Sequence, residues 1–223
     1  MNTKALVAEF IGTFTLIFVG VWAIASDAMT GHMLGLTGIA LAHGLAIAVM
    51  VSATAAVSGG HLNPAVTFGA LVARKIDVLN GIGYIVAQCL GGIAAAYVLK
   101  LAIPEQVLAA TSFGVPVVTK GATVTQALFT EIVLTFFLVF VVFGTAIDKR
   151  APKVGGLFIG LAVAMGVMMG AAISGAAMNP ARFLGPAVAG GGFDNTWLYW
   201  VGPLVGGGLA ALIYKFTLEA KES

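Results

Sequence analysis

Long apolar runs dominate the chain, and the short stretches between them carry most of the charged residues. A helix needs roughly 20 residues to cross the ~30 Å hydrocarbon core of a bilayer, and six of the runs are that long. The pattern therefore predicts an all-α membrane protein whose spans lie at approximately 4–25, 35–57, 79–101, 124–146, 155–174 and 196–217.

Two further apolar pieces, residues 63–73 and 179–189, are too short to cross. At 1.5 Å per residue each would form a helix of ~16 Å, about half of the hydrocarbon thickness. We therefore predict two re-entrant half-helices. The irregular backbone before them, at 58–62 and 174–178, is tolerated at that depth only where protein buries it or where it lines a water-filled cavity.

Each predicted half-helix begins with the same tripeptide, which is Asn63, Pro64 and Ala65 in the first and Asn179, Pro180 and Ala181 in the second. Asn is a favoured N-cap, and Pro is preferred at the first helical position. The two copies are 116 residues apart, and the same shift places 84–96 on 200–212. We interpret the chain as one half written twice, with an ungapped offset from about residue 43 to residue 98.

Each half contains three spans, an odd number, so the two halves enter the bilayer from opposite faces as an inverted repeat. The capped ends of the half-helices then meet near the bilayer centre. We expect a single transmembrane channel domain over 1–223, with repeats at approximately 1–101 and 123–217 joined by an outer loop at 102–122.

Cationic residues indicate the orientation, because they gather in cytoplasmic loops. The outer side of the six-span order holds only Lys100 and Lys120. The other side holds Lys4, Arg74, Lys75, Lys149, Arg150, Lys153, Lys215 and Lys221. We therefore expect both termini in the cytoplasm. Short ends without a phosphorylation-rich tail favour a plasma membrane, specifically a bacterial inner membrane.

Composition excludes several classes of protein. With 60% hydrophobic and 9% charged residues, the chain is not an ordinary soluble globule. We find no nucleophile and base set, no metal-ligand cluster and no glycine-rich phosphate loop, so we expect no enzyme, metal, cofactor or nucleic-acid partner. The single Cys89 is expected to be a packing residue in the third span.

Beside the paired tripeptides, the chain has an SGGH lead-in to the first copy, Arg182 after the second, and Glu9 and Glu131 in the first and fourth spans. With these features it resembles the aquaporin, or major intrinsic protein, family over roughly residues 5–217. The resemblance implies a right-handed bundle of six transmembrane helices with two re-entrant half-helices. It also implies a homotetramer in the lipid bilayer, with one pore per subunit for water and small neutral solutes.

The resemblance further implies a selectivity filter on the outer side of the paired tripeptides, formed by His43, Val167, Ala176 and Arg182. This set is most similar to that of plant tonoplast intrinsic proteins. Phe183 stands where glycerol facilitators carry Asp, which argues against polyols. We therefore expect a passive channel for water and also ammonia that excludes ions and protons through the filter and the opposed half-helix N-termini.

Three further polar residues lie near the re-entrant segments. A carboxylate buried in a membrane, such as Glu9 or Glu131, by itself also fits a proton relay. The resemblance implies instead that both glutamates support the re-entrant loops through hydrogen bonds, and we expect His61 to support the first loop. Phe113, in the outer loop, is a candidate for a further filter residue.

Two alternative functions also fit the sequence. One is a broader facilitator of urea or glycerol. The other is a secondary transporter coupled to protons or sodium, since inverted repeats and broken helices also occur there, with Glu9 and Glu131 as its coupling groups.

Overall fold

A computed structural model describes residues 2–220, which contain helices and connecting turns and no strand. The helices are α1 (Thr3–Met29), α2 (Gly35–Ser58), α3 (Pro64–Val72), α4 (Val78–Ala102), α5 (Glu105–Ala110), α6 (Val124–Val142), α7 (Gly155–Ser174), α8 (Pro180–Pro186) and α9 (Leu198–Ile213). Wide π-type turns extend α6 to Ile147, α8 to Gly191 and α9 to Leu218. Within the described residues six helices are long and apolar enough to cross a membrane, so the predicted spans are confirmed.

Local sequence sets where several helices begin and end. The side chain of Asn2 accepts the Lys4 N–H at 3.1 Å at the start of α1, and Thr123 and Gln126 cap α6 reciprocally. Gly59 and Gly175 follow α2 and α7 with φ of 87° and 78°, a left-handed conformation that favours glycine. The chain can therefore turn sharply from each of these spans into a re-entrant segment.

The two halves pack in the same way, and the half-helix of each half packs mainly on the last span of the other half. Helix α1 packs on α4, α6 packs on α9, and α2 crosses α7 at the interface of the halves. At that crossing a Cβ on Gly160 would lie 2.3 Å from the carbonyl oxygen of Gly44, so only glycine allows this approach. The half-helix α3 packs on α9 of the other half, and α8 packs on α4.

The repeat offset changes by one residue in the third span of each half. Tyr84 donates from its hydroxyl to the carbonyl of Ser58 at 2.9 Å, and Tyr199 donates to that of Ser174 at 2.8 Å. The serines are 116 residues apart, whereas the tyrosines are 115 apart. The ungapped alignment of 84–96 on 200–212 is therefore wrong, because the second half has one residue fewer between its half-helix and its last span.

The outer loop at 102–122 is more ordered than the sequence suggests. It contains the short helix α5, built from the good helix formers of EQVLAA after Pro104, and a 3₁₀ turn at Ser112–Gly114. The turn holds Phe113 at a φ of 54°, outside the usual range of a residue with a side chain. We call the face that carries this segment the outer face, and the one that carries both described chain ends the terminal face.

Charged contacts join the segments of the terminal face. Lys75 pairs with Glu219, and Arg150 donates from Nη2 to the carbonyl of Leu218 at 2.7 Å. The Arg150 side chain also hydrogen-bonds Asp148, which holds the pKa of that carboxyl well below its usual value. These contacts tie the end of α9 to the α3–α4 and α6–α7 connections. Lys221 lies outside the described residues.

Candidate transmembrane pore

The two half-helices meet through their Asn caps. Asn63 Oδ1 accepts the N–H of Ala65 at 2.8 Å, and Asn179 Oδ1 accepts that of Ala181 at 3.0 Å. The amide nitrogens reach across to the other half: Asn63 donates from Nδ2 to the Met178 carbonyl at 2.8 Å. Asn179 correspondingly donates to that of Leu62 at 3.0 Å. Each Asn therefore caps its own half-helix and binds the opposite re-entrant segment.

Glu9 holds the first re-entrant segment. Its Oε1 accepts the Ser58 hydroxyl at 2.6 Å and the His61 N–H at 2.9 Å, while Oε2 accepts the Leu62 N–H at 2.6 Å. The carboxylate is fully buried. Because Leu62 has a positive φ of 52°, these bonds stabilise a backbone conformation that its side chain disfavours.

Glu131 holds the second segment with the same set of bonds. Its carboxylate accepts the Ser174 hydroxyl at 2.7 Å and the N–H groups of Ala177 at 2.8 Å and Met178 at 2.7 Å. It is also fully buried, and Met178 has a φ of 51°. The two glutamates occupy equivalent places in the repeat, and the donors around each satisfy both carboxylate oxygens.

The first half has a polar extension that the sequence analysis missed. Gln88 donates from Nε2 to Glu9 at 2.7 Å and to the Thr67 hydroxyl at 2.9 Å, and His61 Nδ1 lies 3.1 Å from that hydroxyl. At the repeat offsets of 116 and 115, Phe183 and Pro203 replace Thr67 and Gln88. A Gln in the middle of an apolar span was the signal that could have identified this cluster.

Two cavities follow one another through the bundle. The inner cavity is narrow, about 30 Å³, and runs past His61 and both capping residues, Asn63 and Asn179. The outer cavity is wider, about 220 Å³, and is lined in part by the outer segment, including Thr111 and Thr119. Most of the inner lining is apolar, so a molecule there meets few polar groups.

Three residues line both cavities, the only ones among residues 2–220 that do so: His43, Val167 and Arg182. They therefore mark the junction between the wide mouth and the narrow interior. Ala176 lines only the inner cavity. The structure thus brings together all four predicted filter residues, from α2, α7, the second re-entrant segment and α8.

His43 is held from two sides. Its Nδ1 lies 2.9 Å from the Ile39 carbonyl, so Nδ1 carries the proton that it donates and Nε2 of the neutral ring is an acceptor. The ring lies against Gly20, where a Cβ would come within 2.4 Å of Nε2. The side chain is buried, with 4% exposed.

Arg182 brings a guanidinium to the same junction. It donates from Nη1 to the Gly114 carbonyl at 2.7 Å, while its buried Nε has no hydrogen-bond partner in the protein. A guanidinium at membrane depth is expensive unless it is paired or faces water. Because Arg182 lines both cavities, its charge lies beside space that water can fill.

Phe113 lines neither cavity. Its ring packs instead against Gly190 and lies 5.7 Å from the Lys100 ammonium. The outer segment faces the cavity with other groups, among them Thr111, Gly114 and Val115. The candidate filter role of the Phe113 side chain is therefore not supported by its position.

The chain is similar to plant aquaporins over almost its whole length. It is 43% identical to "Probable aquaporin TIP3-2" of Arabidopsis thaliana over 230 residues, covering 97% of this chain and 84% of the relative. It is 48% identical to "Aquaporin TIP2-3" of Zea mays over 221 residues, covering 96% and 87%. These relatives are aquaporins of the tonoplast intrinsic type.

A solved structure shares the fold. The aquaglyceroporin from Plasmodium falciparum superposes with a TM-score of 0.86 at 25% identity, covering 98% of this chain and 97% of the other. The described helices are thus arranged as in a known channel of this class.

The predicted location in a bacterial inner membrane, a plasma membrane, is wrong. The relatives are plant tonoplast intrinsic proteins, which belong to the vacuolar membrane. The length of the chain ends has no physical link to the kind of bilayer around the spans, so it could not support that prediction. The multi-pass membrane character is confirmed.

Residues 1–214 match the family model described as "Major intrinsic protein". This match covers nearly all of the chain and agrees with the relatives and with the fold. Members of the family are channels for water and small solutes rather than enzymes. The chain belongs to the major intrinsic protein family of membrane channels.

Proposed function

We propose that the protein is a passive channel for water and also for ammonia, with His43, Val167, Ala176 and Arg182 as its selectivity filter. One observation carries this proposal: three of these residues line both cavities and so lie where the permeation path narrows. A molecule that enters from the wide mouth must pass them before it reaches the paired Asn caps.

The chemistry of the path suits small neutral molecules that form hydrogen bonds. Asn63 and Asn179 each use one amide hydrogen in the protein, which leaves a second for a solute. His43 Nε2 is an acceptor, and Arg182 brings its guanidinium charge to the lining of both cavities. The guanidinium at the junction and, further in, the positive ends of both half-helices oppose cations and protons along this path.

The small side chains at the junction support ammonia as a second solute. Val167 and Ala176 are both buried, with 5% and 4% exposed, and neither carries a ring that would close the opening. The His43 acceptor can receive a hydrogen bond from ammonia as well as from water. Ammonia therefore meets no steric or chemical barrier at the junction that water does not also meet.

A broader facilitator of urea or glycerol is the second candidate, because the solved neighbour is an aquaglyceroporin. Phe183 argues against it: this side chain is fully buried, with its ring stacked on Tyr199 at 4.5 Å, and supplies no polar group for a polyol. Ion-coupled transport is disfavoured, since donors already satisfy Glu9 and Glu131 and hold them in place.

Stopped-flow light scattering of proteoliposomes tests the proposal. We expect fast shrinkage under an impermeant osmolyte, and fast alkalinisation of an internal pH dye when an ammonium salt is added. Both rates should exceed those of protein-free vesicles. Rapid re-swelling in glycerol or urea would favour the broader facilitator, and saturable uptake driven by a proton or sodium gradient would overturn the channel proposal.

We further propose a homotetramer with one pore per chain. The two cavities lie inside one chain, so the proposed path does not run between subunits. Light scattering of the detergent-solubilised protein measures the assembly directly. A mass of one chain in active preparations would contradict the tetramer.

A further inference from the structure

The last turn of α4 and the wide turn that extends α9 carry an equivalent lysine. Lys100 donates from Nζ to the carbonyl of Ala189 at 3.0 Å, and Lys215 donates to that of Ala73 at 2.9 Å. The lysines are 115 residues apart and the alanines 116 apart, the two offsets that relate the third spans and the half-helices. The two hydrogen bonds are thus one contact, repeated by the inverted symmetry.

Each acceptor lies at the far end of a half-helix. Ala73 is the C-cap of α3, and Ala189 lies in the wide turn that continues α8. The last carbonyl groups of a helix have no partner within it and form the negative end of its dipole. An ammonium group at this position both satisfies a carbonyl and meets a favourable field.

The contacts run crosswise between the halves. Lys100 belongs to the first half and caps the half-helix of the second, whereas Lys215 does the reverse. An aromatic ring accompanies each ammonium: Phe113 lies 5.7 Å from Lys100, and Phe216 lies 5.7 Å from Lys215. A ring face at this distance attracts a cation and stabilises each lysine where it reaches its carbonyl.

We propose that Lys100 and Lys215 are positioning residues for the pore, each fixing the C-terminal end of the opposite half-helix. A half-helix is a short rigid rod, and its other end carries the Asn cap, with Arg182 following in α8. Holding the far end therefore sets the height and tilt at which these groups face the permeation path. This inference rests on the proposed pore, and it adds two residues that lie outside both cavity linings.

Hydrogen exchange followed by mass spectrometry tests the crosswise pattern without any transport measurement. In the reconstituted protein, Lys100→Met should speed exchange in the last turn of 180–191, and Lys215→Met in that of 64–75. We expect a change of about two- to five-fold, the factor that corresponds to a lost charge at a helix end. Lys→Arg at either position should restore slow exchange. Faster exchange confined to the variant's own half, or no change, would overturn the proposal.

Water permeability tests whether the two lysines affect the function of the pore. Water permeability per reconstituted channel should fall by about twofold or more in the Lys100→Met, Lys215→Met double variant and recover in the double Arg variant. Lys120→Met on the outer face and Lys4→Met on the terminal face are matched controls, since both lysines are exposed and neither contacts a half-helix end. Loss of thermal stability with unchanged flux per channel would reduce the lysines to a structural role and overturn the proposal. If the wild type conducted no water, the proposed function would fail while hydrogen exchange still decided this inference.

Discussion

The imidazole of His43 lies against Gly20 of α1, where any Cβ would come within 2.4 Å of Nε2. On its other side Nδ1 is held by the Ile39 carbonyl at 2.9 Å. The ring therefore has one position, set by a hydrogen bond within α2 and by the absence of a side chain on α1. The width of the cavity junction depends on a glycine that lines neither cavity.

Gly20→Ala should push the His43 ring away from α1 and alter the junction. Overpacking of this kind costs about 1–3 kcal/mol, so we expect lower stability together with reduced water and ammonia permeability per channel. Stopped-flow rates normalised to reconstituted protein measure the effect. Gly208→Ala is the control, because its Cβ would lie 3.2 Å from the Phe68 ring, away from the cavities. Equal losses in both variants would show that packing alone is responsible.

His43→Phe should reduce ammonia permeability more than water permeability. The phenyl ring removes the Nε2 acceptor and places an apolar surface at the junction, next to Val167. Osmotic shrinkage and internal alkalinisation, recorded on the same vesicles, give the two rates. His32→Asn in the exposed α1–α2 turn is the control, since Asn tolerates the φ of 64° found there. Equal reduction of both rates would mean that His43 only packs.

Arg182→Val should relax the exclusion of ions and protons. The variant loses the guanidinium charge at the junction, and water in the outer cavity can satisfy the Gly114 carbonyl that Arg182 binds. We expect a higher proton leak, seen as faster decay of a pH gradient, while water still passes. Arg74→Asn removes an equal charge from an exposed position on the terminal face. Unchanged leak in Arg182→Val would remove this residue from the filter.

Features that depend only on a continuous stretch of chain could be predicted from the sequence. The six spans follow from apolar length, and the half-helices follow from an Asn cap before Pro in a run too short to cross. The predicted 63–73 and 179–189 agree with α3 at Pro64–Val72 and with α8 at Pro180–Pro186 and its wide turn. These signals are local, so no tertiary contact can change them much.

Contacts between distant residues could not be predicted in the same way. Gly20 looks like any small residue of a membrane helix, and its role follows only from the His43 ring beside it. The one-residue change of offset hid the equivalence of Lys100 and Lys215, because an ungapped alignment places Phe216 opposite Lys100. Both features depend on the depth and rotation of packed helices, which the local sequence does not specify.

Glu131→Gln distinguishes a support role from a proton relay. The carboxylate accepts three hydrogen bonds, from the Ser174 hydroxyl and from the N–H groups of Ala177 and Met178. A Gln amide has a single oxygen, and its NH₂ group must face at least one of these donors. An unsatisfied buried donor costs about 1–3 kcal/mol, so the melting temperature should fall by roughly 2–4 °C for each kcal/mol lost.

In the support role, Glu131→Gln channels that remain folded still conduct water in proportion to the osmotic gradient, without dependence on a proton gradient. Thermal unfolding in detergent and stopped-flow flux at several pH gradients measure the two properties. Glu105→Gln, in the first turn of α5, is the control because that side chain is exposed. A relay predicts the opposite pair of results, with intact stability and loss of proton-driven uptake. Since three donors hold the Glu131 carboxylate in place against the second re-entrant segment, we expect the first pair.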